Sequence, residues 1–209
     1  MTAALVSAVR SSMRFARRLR RLLFRVQSHV VFAADCTNAK AVEWPPYEMP
    51  VRFSRASPLQ ADLREALLQR LPSSREYLTA VEQGEAEGLL VCVDGVIVHS
   101  AYLMFRNKTV CLLGFDRTFG LLGNSYTAQS YRRRGCQSRS VRERLAMARQ
   151  AGLNHAISET APDNTASQRG LSNGGMNRVG CTHFAVALNM VVLRFTRAAR
   201  SATRMSLCL

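Results

Sequence analysis

The spacing of hydrophobic residues changes along the chain and predicts where helices and strands lie. In residues 3–27, apolar side chains recur every three or four positions with arginines between them, which is typical of one amphipathic helix. Residues 51–55 alternate apolar and polar side chains, as a half-buried strand does. Two helices are then predicted over residues 57–69 and 73–83.

The middle of the chain contains a predicted β-hairpin. Two apolar runs, residues 89–93 and 96–103, flank Asp94-Gly95, a pair suited to the two-residue type I′ turn. A further strand is predicted over residues 109–113, and another follows residues 120–123 and leads to Ala128. The pattern therefore predicts three or four antiparallel strands in succession.

Helices and strands alternate in the remainder of the chain. The predicted elements are a helix over residues 138–151 closed by Gly152, a strand over 156–159, a helix from Pro162 to Gly174-Gly175, and two strands over 178–183 and 188–195. The complete order is strand, two helices, three or four strands, helix, strand, helix and two strands.

A strongly positive charge changes this picture by predicting an acidic partner. The net charge is +15, with 29 basic residues against 14 acidic ones. Seven arginines lie in residues 1–25, and seven more lie in residues 132–149. The partner of such zones is nucleic acid, an anionic membrane, an acidic protein or a phosphorylated cofactor, and the two zones need not share one.

The basic helix over residues 3–27 has two interpretations. It lies on an anionic membrane surface, where each basic residue contributes on the order of 1 kcal/mol. Alternatively, it packs on its own domain or on a second copy in a homodimer. No apolar stretch reaches the roughly 18–20 residues that a membrane-spanning helix needs. We expect a cytoplasmic protein, which the first interpretation places at the inner face of the membrane.

The cysteines favour reduced thiols. The six of them are scattered, without a C-x-x-C pair or a Cys/His cluster. Neither a disulfide framework nor a metal site is therefore expected.

The candidate chemistry is concentrated in residues 131–138, Tyr-Arg-Arg-Arg-Gly-Cys-Gln-Ser. A strand-like run, residues 124–128, precedes this basic turn, and the predicted helix follows it. That order directs several backbone N–H groups and the positive end of a helix dipole at one place, where a phosphate can bind. A solvated basic start to a helix is the simpler alternative.

This order of elements and two of its motifs resemble the GNAT superfamily of acyl-CoA-dependent N-acyltransferases over residues 50–196. Arg132-x-x-Gly135-x-Gln137 is similar to the family's signature Q/R-x-x-G-x-G/A. Residues 162–167, Pro-Asp-Asn-Thr-Ala-Ser, are similar to the segment in which an Asn opens the helix after the fifth strand.

The resemblance implies an α/β (α+β) GNAT fold, in which helices flank a mixed, mostly antiparallel sheet, with an extra basic N-terminal helix. It also divides the chain into an N-terminal extension and linker, residues 1–48, an acyltransferase domain, residues 49–198, and a C-terminal tail, residues 199–209.

By the same resemblance, acetyl-CoA or another acyl-CoA is the co-substrate. Backbone N–H groups of the basic turn hold its pyrophosphate, and the strand before that turn holds the pantetheine arm. Thr127 N–H is the expected donor to the thioester carbonyl, where negative charge develops. Asn164 is alternatively a simple helix cap. The implied cofactor-binding residues are Ser125, Tyr126, Thr127, Arg132, Arg133, Arg134, Gly135, Cys136, Gln137, Ser138, Asn164 and Ser167.

The resemblance also implies a general base and leaves the general acid without a match. Glu159 occupies the position of the family's proposed base, although it is alternatively a partner for an arginine. Leu171 stands where many members have a tyrosine that protonates the departing thiolate. Gln137 replaces a Gly or Ala and places a long side chain near the pyrophosphate turn. Cys136 lies at a helix N-terminus beside arginines, which lowers a thiol pKa, but we expect it to be a small turn residue.

The expected reaction is direct transfer of an acetyl or other acyl group from acyl-CoA to an amine of a small molecule or a protein. One alternative takes the acyl group from an acyl carrier protein, which is acidic and presents the same pantetheine arm. Another is a degenerate GNAT domain that binds coenzyme A, membrane or nucleic acid without turnover. Nucleic acid is the least favoured partner.

Overall fold

A computed structural model describes residues 24–187, 190–198 and 204–207, with side chains described over residues 26–186. Most of the predicted helix over residues 3–27 lies outside these residues, so its membrane and packing interpretations stay predictions. Its last four residues, 24–27, are instead the start of a strand. The reason is a second pattern: Phe24, Val26, Val30 and Phe32 lie at even positions, the period of a strand.

Nine strands and five α-helices are described. The strands are β1 (Phe24–Asp35), β2 (Met49–Phe53), β3 (Ala86–Val93), β4 (Val96–Met104), β5 (Gly120–Thr127), β6 (His155–Thr160), β7 (Asn177–Ala187), β8 (Met190–Ala198) and β9 (Arg204–Leu207). The helices are α1 (Ala61–Arg70), α2 (Arg75–Gln83), α3 (Lys108–Leu112), α4 (Cys136–Gln150) and α5 (Thr165–Asn173). Short 3-10 turns cover Pro72–Ser74 and Gln129–Tyr131.

The predicted hairpin is confirmed, and the strand predicted after it is wrong. Asp94 and Gly95 have φ values of +50° and +74°, the left-handed pair that a type I′ turn requires. Residues 109–113, predicted as a strand, lie mostly within α3. Asn107 caps that helix by accepting a hydrogen bond from the N–H of Thr109 at 2.9 Å. A local cap therefore prevails over the β propensity of the segment.

The chain divides into two compact units, residues 30–179 and residues 1–29 with 180–209. In the first unit the strand order is β2-β3-β4-β5-β6-β1. Every neighbouring pair in it is antiparallel except β5–β6, which is parallel. The fully buried side chains of this unit include Phe32, Leu67, Leu89, Leu90, Leu103, Leu122, Met147 and Ile157.

Strand β1 was expected to belong to an N-terminal extension. From Val30 to Asp35 it pairs with β6, so this part of the predicted extension forms part of the sheet. The three-part division into residues 1–48, 49–198 and 199–209 stays a prediction.

In the other unit, β7, β8 and β9 are consecutive antiparallel strands. Strand β9 lies in the predicted tail and pairs with β8 from Thr196 to Leu193. Ser28 Oγ lies 2.8 Å from His183 Nδ1, and the rings of His29 and Phe184 meet edge to face at 5.4 Å.

Candidate functional site

Strands β5 and β6 separate soon after they begin. Their parallel pairing consists of Gly120 with Ala156 and Leu121 with Ile157. At the next position, Ser158 Oγ donates a hydrogen bond to the carbonyl of Leu122 at 2.7 Å in place of a backbone contact. From there to its end, β5 has no strand partner on this side among the described residues. One edge of β5 is therefore open.

A β-bulge bends β5 at the same level. Between the pairs Ser100–Tyr126 and Tyr102–Gly123, two residues of β5 lie opposite one residue of β4. The first of the two, Asn124, has a φ of +44°, which is left-handed backbone. Such bulges re-aim the residues that follow them, and they are frequent next to active sites.

Thr127 turns its backbone groups towards the open edge. It lies opposite His99, and the N–H of Ala128 donates to the carbonyl of Val98 at 2.8 Å. These contacts make His99–Thr127 a non-hydrogen-bonded pair, whose backbone N–H and C=O groups point away from the neighbouring strand. The Nε of Arg132 donates to the Thr127 carbonyl from that side at 3.3 Å.

The basic turn after β5 presents a row of unbonded N–H groups. Arg133 and Gly135 have φ values of +66° and +77°, so the chain winds back on itself before α4. The first bond into the helix runs from Arg139 N–H to Gly135 C=O at 3.1 Å. Among the described residues, the N–H groups of residues 133–138 have no acceptor. This arrangement at a helix N-terminus suits an anion such as a phosphate.

The turn, the end of β5 and the start of α5 enclose one cavity of about 830 Å³. It is lined by all of the predicted cofactor-binding residues except Arg134. The guanidinium of Arg134 lies instead over the ring of Tyr131, at 4.6 Å from its centroid. That these residues bind a cofactor stays a prediction; that they surround one cavity is a property of the fold.

One face of α5 also lines this cavity and was missed by the sequence analysis. Its additional residues are Thr165, Ala166, Arg169, Gly170 and Asn173. Helical spacing from Asn164 through Ser167 identifies two of them, Gly170 and Asn173, because residues three or four apart share a face. Arg169 adds a third arginine to the lining, beside Arg132 and Arg133.

Arg139, in the first turn of α4, has its charge paired with a carboxylate. Its Nη2 lies 2.7 Å from Oε2 of Glu48, and its Nε lies 3.2 Å from the same oxygen. Glu48 is buried, and it precedes β2 in the segment that follows β1. Only the tertiary structure brings the two residues together, since they are 91 positions apart.

The expected effect of the surroundings on Cys136 was wrong in sign. Burial raises the pKa of its thiol to about 12, with the Glu48 carboxylate acting in the same direction and Arg139 opposing both. The side chain is 2% exposed and packs with the aliphatic cluster of Val91 and Val98. It is a neutral core thiol, which agrees with the expected role of a small turn residue.

Gln137 does not crowd the turn as its position suggested. Its half-buried side chain lies against α5, where a Cβ added at Gly170 would come within 2.5 Å of Gln137 Cγ. One turn later, a Cβ at Gly174 would come within 2.5 Å of the Val141 side chain. Gly170 in α5 and Gly174 directly after it therefore allow α4 and α5 to pack closely beside the cavity.

Asn164 is a helix cap that also faces the cavity. Its side chain accepts a hydrogen bond from the N–H of Ser167 at 3.1 Å. Leu171, in the same helix, is 2% exposed and belongs to the core. The capping alternative for Asn164 is confirmed, and it does not conflict with contact to a ligand.

A second cavity, of about 350 Å³, lies further back along β5. It is lined by Glu76, Tyr77, Ala80, Met104, Asn107, Thr109, Leu121, Leu122, Gly123, Asn124 and Glu159. Burial raises the pKa of Tyr77, and the carboxylates of Glu76 and Glu159 raise it further. The described residues that line this cavity include two acids and no Lys, Arg or His.

The two cavities adjoin along one strand, because Asn124 lines the second and Ser125 lines the first. The predicted base, Glu159, lies in the second cavity and not among the predicted cofactor-binding residues. Tyr77 was not selected from the sequence, since nothing in the pattern of α2 distinguishes it from a core residue.

Two further observations concern metal sites and membrane-spanning helices. Among the described residues, His, Cys, Asp and Glu side chains form no group of three that resembles a metal site. No described helix has the length and apolar character that crossing a membrane requires.

No family model and no curated protein matches this chain. Solved structures do match its fold. A Drosophila protein has a TM-score of 0.56 at 14% identity, over 84% of this chain and 58% of that one. An acetyltransferase of the GNAT family from Colwellia psychrerythraea has a TM-score of 0.53 at 16% identity, over 78% and 55%. A GCN5-related N-acetyltransferase from Sphaerobacter thermophilus has 0.52 at 18%, over 85% and 57%.

The chain therefore has the GNAT fold, as the order of its elements predicts. It spans between 55% and 58% of the length of these three structures.

Proposed function

We propose that this chain is an acyltransferase that binds acyl-CoA in the 830 Å³ cavity and transfers the acyl group to an amine held in the second cavity. One observation carries the proposal: Arg133 and residues 135–138, whose N–H groups are unbonded, line the same cavity as the open edge of β5. Coenzyme A has phosphates that match the N–H groups of the turn and an amide-containing arm that matches the edge of β5.

The phosphates fit the basic turn. Residues 133–138 offer backbone donors at the positive end of α4, and Gly135 leaves room for close approach. Arg132, Arg133 and Arg169 line the same cavity and supply positive charge. Because Arg139 is paired with Glu48, it is not assigned to the phosphates.

The pantetheine arm fits the open edge of β5. Its amide groups would bind the main chain of residues 125–127 as an added strand does. Thr127 N–H points to this side and is the proposed donor to the thioester oxygen. A donor fixed by the fold stabilises the negative charge that develops there during attack.

The acidic second cavity suits a positively charged acceptor. An amine enters as an ammonium group, which Glu76 and Glu159 attract, and it must lose a proton before it attacks. Glu159 is the proposed base, directly or through water. The amine nitrogen bonds to the thioester carbon and releases a second proton to water. The C–S bond breaks with its electron pair on sulfur, and the thiolate takes a proton from water.

Calorimetry with acetyl-CoA in low salt tests the first part of the proposal. Binding at micromolar concentrations is expected, and no binding would exclude both the enzyme and a coenzyme A-binding domain without turnover. If acetyl-CoA binds, release of free thiol is then measured with a panel of amines. If none of the amines on the panel is acylated, the non-catalytic domain is favoured, which the buried Leu171 also supports.

Replacement of the proposed base tests the mechanism. We expect Glu159→Gln to lower kcat by about 100-fold, the usual contribution of general base catalysis, and to leave acetyl-CoA affinity unchanged. Glu76→Gln is the matched control, because Glu76 is a carboxylate in the same cavity with no proposed role in proton transfer. An unchanged rate in Glu159→Gln would remove Glu159 as the base.

A further inference from the structure

The guanidinium of Arg144 lies inside the protein beneath the bulge of β5. Its residue is 1% exposed, and its hydrogen-bond partners among the described residues are all neutral. A buried charge without a carboxylate is costly, so a fold retains one only where its hydrogen bonds are well satisfied. Burial lowers the pKa of Arg144 to about 9, which leaves it charged at neutral pH.

Three of the four hydrogen bonds of Arg144 are at the bulge, and the fourth goes to the carbonyl of Ser140 in its own helix. Its Nη2 donates to Ser125 Oγ at 2.9 Å, and its Nη1 donates to the carbonyl of Tyr102 at 3.1 Å. A longer contact, at 3.5 Å, joins Nη1 to the carbonyl of Gly123. The bulge interrupts the ladder between β4 and β5 at these same residues. Arg144 therefore supplies donors where the regular pattern of the sheet is broken.

A second buried side chain fixes the other end of this segment. His99 Nδ1 lies 2.8 Å from Thr127 Oγ1, and the His99 ring has no exposed surface. Ser125 and Thr127, which both line the 830 Å³ cavity, are thus tied from below by their side chains. The main-chain groups of Thr127 point to the open edge of β5.

We propose that Arg144 is a positioning residue for acyl transfer: through the carbonyl of Tyr102 and the hydroxyl of Ser125, it holds the bulge of β5 in the shape that presents residues 125–127 to the pantetheine arm. This inference rests on the proposed function. It concerns the arm and not the phosphates, because Arg144 contacts β4 and β5 and has no contact with the turn of residues 131–135.

Two ligands distinguish an effect on binding of the arm from an effect on binding of the phosphates. Coenzyme A carries both, whereas adenosine 3′,5′-bisphosphate carries phosphates and no arm. In Arg144→Met we expect coenzyme A to bind about tenfold more weakly, with the affinity for the bisphosphate within about twofold of the wild type. Arg142→Met, an exposed arginine of the same helix, should leave both affinities unchanged. Equal weakening of both ligands, or no change in either, would overturn the proposal.

Hydrogen exchange tests the same idea without a ligand. In Arg144→Met, amide exchange should accelerate across residues 121–128 and stay unchanged in β3, which Arg144 does not contact. If wild-type protein fails to bind coenzyme A, the proposed function fails, and unaltered exchange would separately refute the positioning role.

A milder variant covers the case in which Arg144→Met does not fold. Ser125→Ala removes one of the contacts and leaves the guanidinium its three carbonyl partners, Ser140, Tyr102 and Gly123. We expect it to weaken coenzyme A about threefold with no change for the bisphosphate. Arg144→Lys keeps the charge with fewer donors in reach, so its coenzyme A affinity should lie between those of Arg144→Met and wild type.

Discussion

At the scale of single residues, the site depends on contacts between side chains that are far apart in sequence. Gln137 looked like a departure that would obstruct the pyrophosphate turn. It fits because position 170 has no side chain, and the side chain of Gln137 occupies the space that a Cβ at position 170 would need. A residue that is unusual for a motif is thus accommodated by a glycine on the neighbouring helix.

This pairing predicts the effect of a methyl group at position 170. Gly170→Ala would place a Cβ within 2.5 Å of Gln137 Cγ and should lower the free energy of unfolding by about 1–3 kcal/mol, the usual range for overpacking. Urea denaturation measures this change. Adding Gln137→Ala to the same chain should recover most of the loss, because the clash is removed. A loss that persists in the double variant would show that Gln137 is not the obstacle.

His99 predicts a pH dependence of stability. Burial, and secondly the charge of Arg144, lowers its pKa from 6.5 to about 3, so the folded protein keeps it neutral. The unfolded chain binds a proton on this residue below pH 6.5, and stability is therefore lost as pH falls through the window from 6.5 to 3. Between pH 6.5 and 5 the loss is at most about 2 kcal/mol.

Urea denaturation at several pH values checks this expectation. His99→Gln keeps a group that can bond to Thr127 and cannot take up the proton. Its free energy of unfolding should therefore change less over that window than that of the wild type. Identical pH profiles for the two proteins would contradict the neutral state assigned to His99.

At the scale of elements, the two ends of α4 have the same backbone geometry and different surroundings. Gly135 precedes the helix with a φ of +77°, and Gly152 follows it with a φ of +79°. Gly135 lines the 830 Å³ cavity, whereas Gly152 borders a groove at the other end of the helix. Substitutions at these two glycines therefore distinguish the effect of backbone strain from an effect on ligand binding.

Alanine at each glycine tests the phosphate site. Gly135→Ala and Gly152→Ala should each lower the free energy of unfolding by about 1–2 kcal/mol, because a Cβ opposes left-handed backbone. Only Gly135→Ala should weaken coenzyme A, by about tenfold or more, since it alters the turn that carries the free N–H groups. Thermal unfolding and calorimetry measure the two effects. Equal affinities in both variants would argue against phosphate binding at this turn.

At the scale of the whole molecule, a strongly basic chain keeps its two cavities opposite in charge. The first is lined by Arg132, Arg133 and Arg169 and by no acid among the described residues. The second is lined by Glu76 and Glu159, with no Lys, Arg or His among the described residues that line it. The separation matches an anionic donor on one side and a cationic acceptor on the other.

This separation predicts opposite effects on the two Michaelis constants. Arg169→Gln should raise KM for acyl-CoA by about threefold and leave KM for the amine unchanged, and Glu76→Gln should do the reverse. Both effects should shrink at high salt, because the side chains are near the surface and their charges are screened. Steady-state kinetics at two salt concentrations measures them. If either variant changes both constants equally, the assignment of the two cavities is wrong.

The sequence by itself determined the features that depend on neighbours in the chain. Asp94-Gly95 forces its turn, Gly152 ends α4, and Asn164 caps α5, because each acts on backbone within a few residues. The same holds for the basic turn, whose donors follow from a glycine just before a helix. The predicted cofactor-binding residues came from the family resemblance, and the fold brings all of them except Arg134 around one cavity.

Only the tertiary structure decided what depends on distant partners. The opening between β5 and β6 needs the position of a strand more than thirty residues away. Burial of Cys136 sets its pKa, and Glu48, across the fold, takes the charge of Arg139. The role inferred for Arg144 is the clearest case: in the sequence it is one of seven arginines in a basic zone, and burial against β4 and β5 alone distinguishes it.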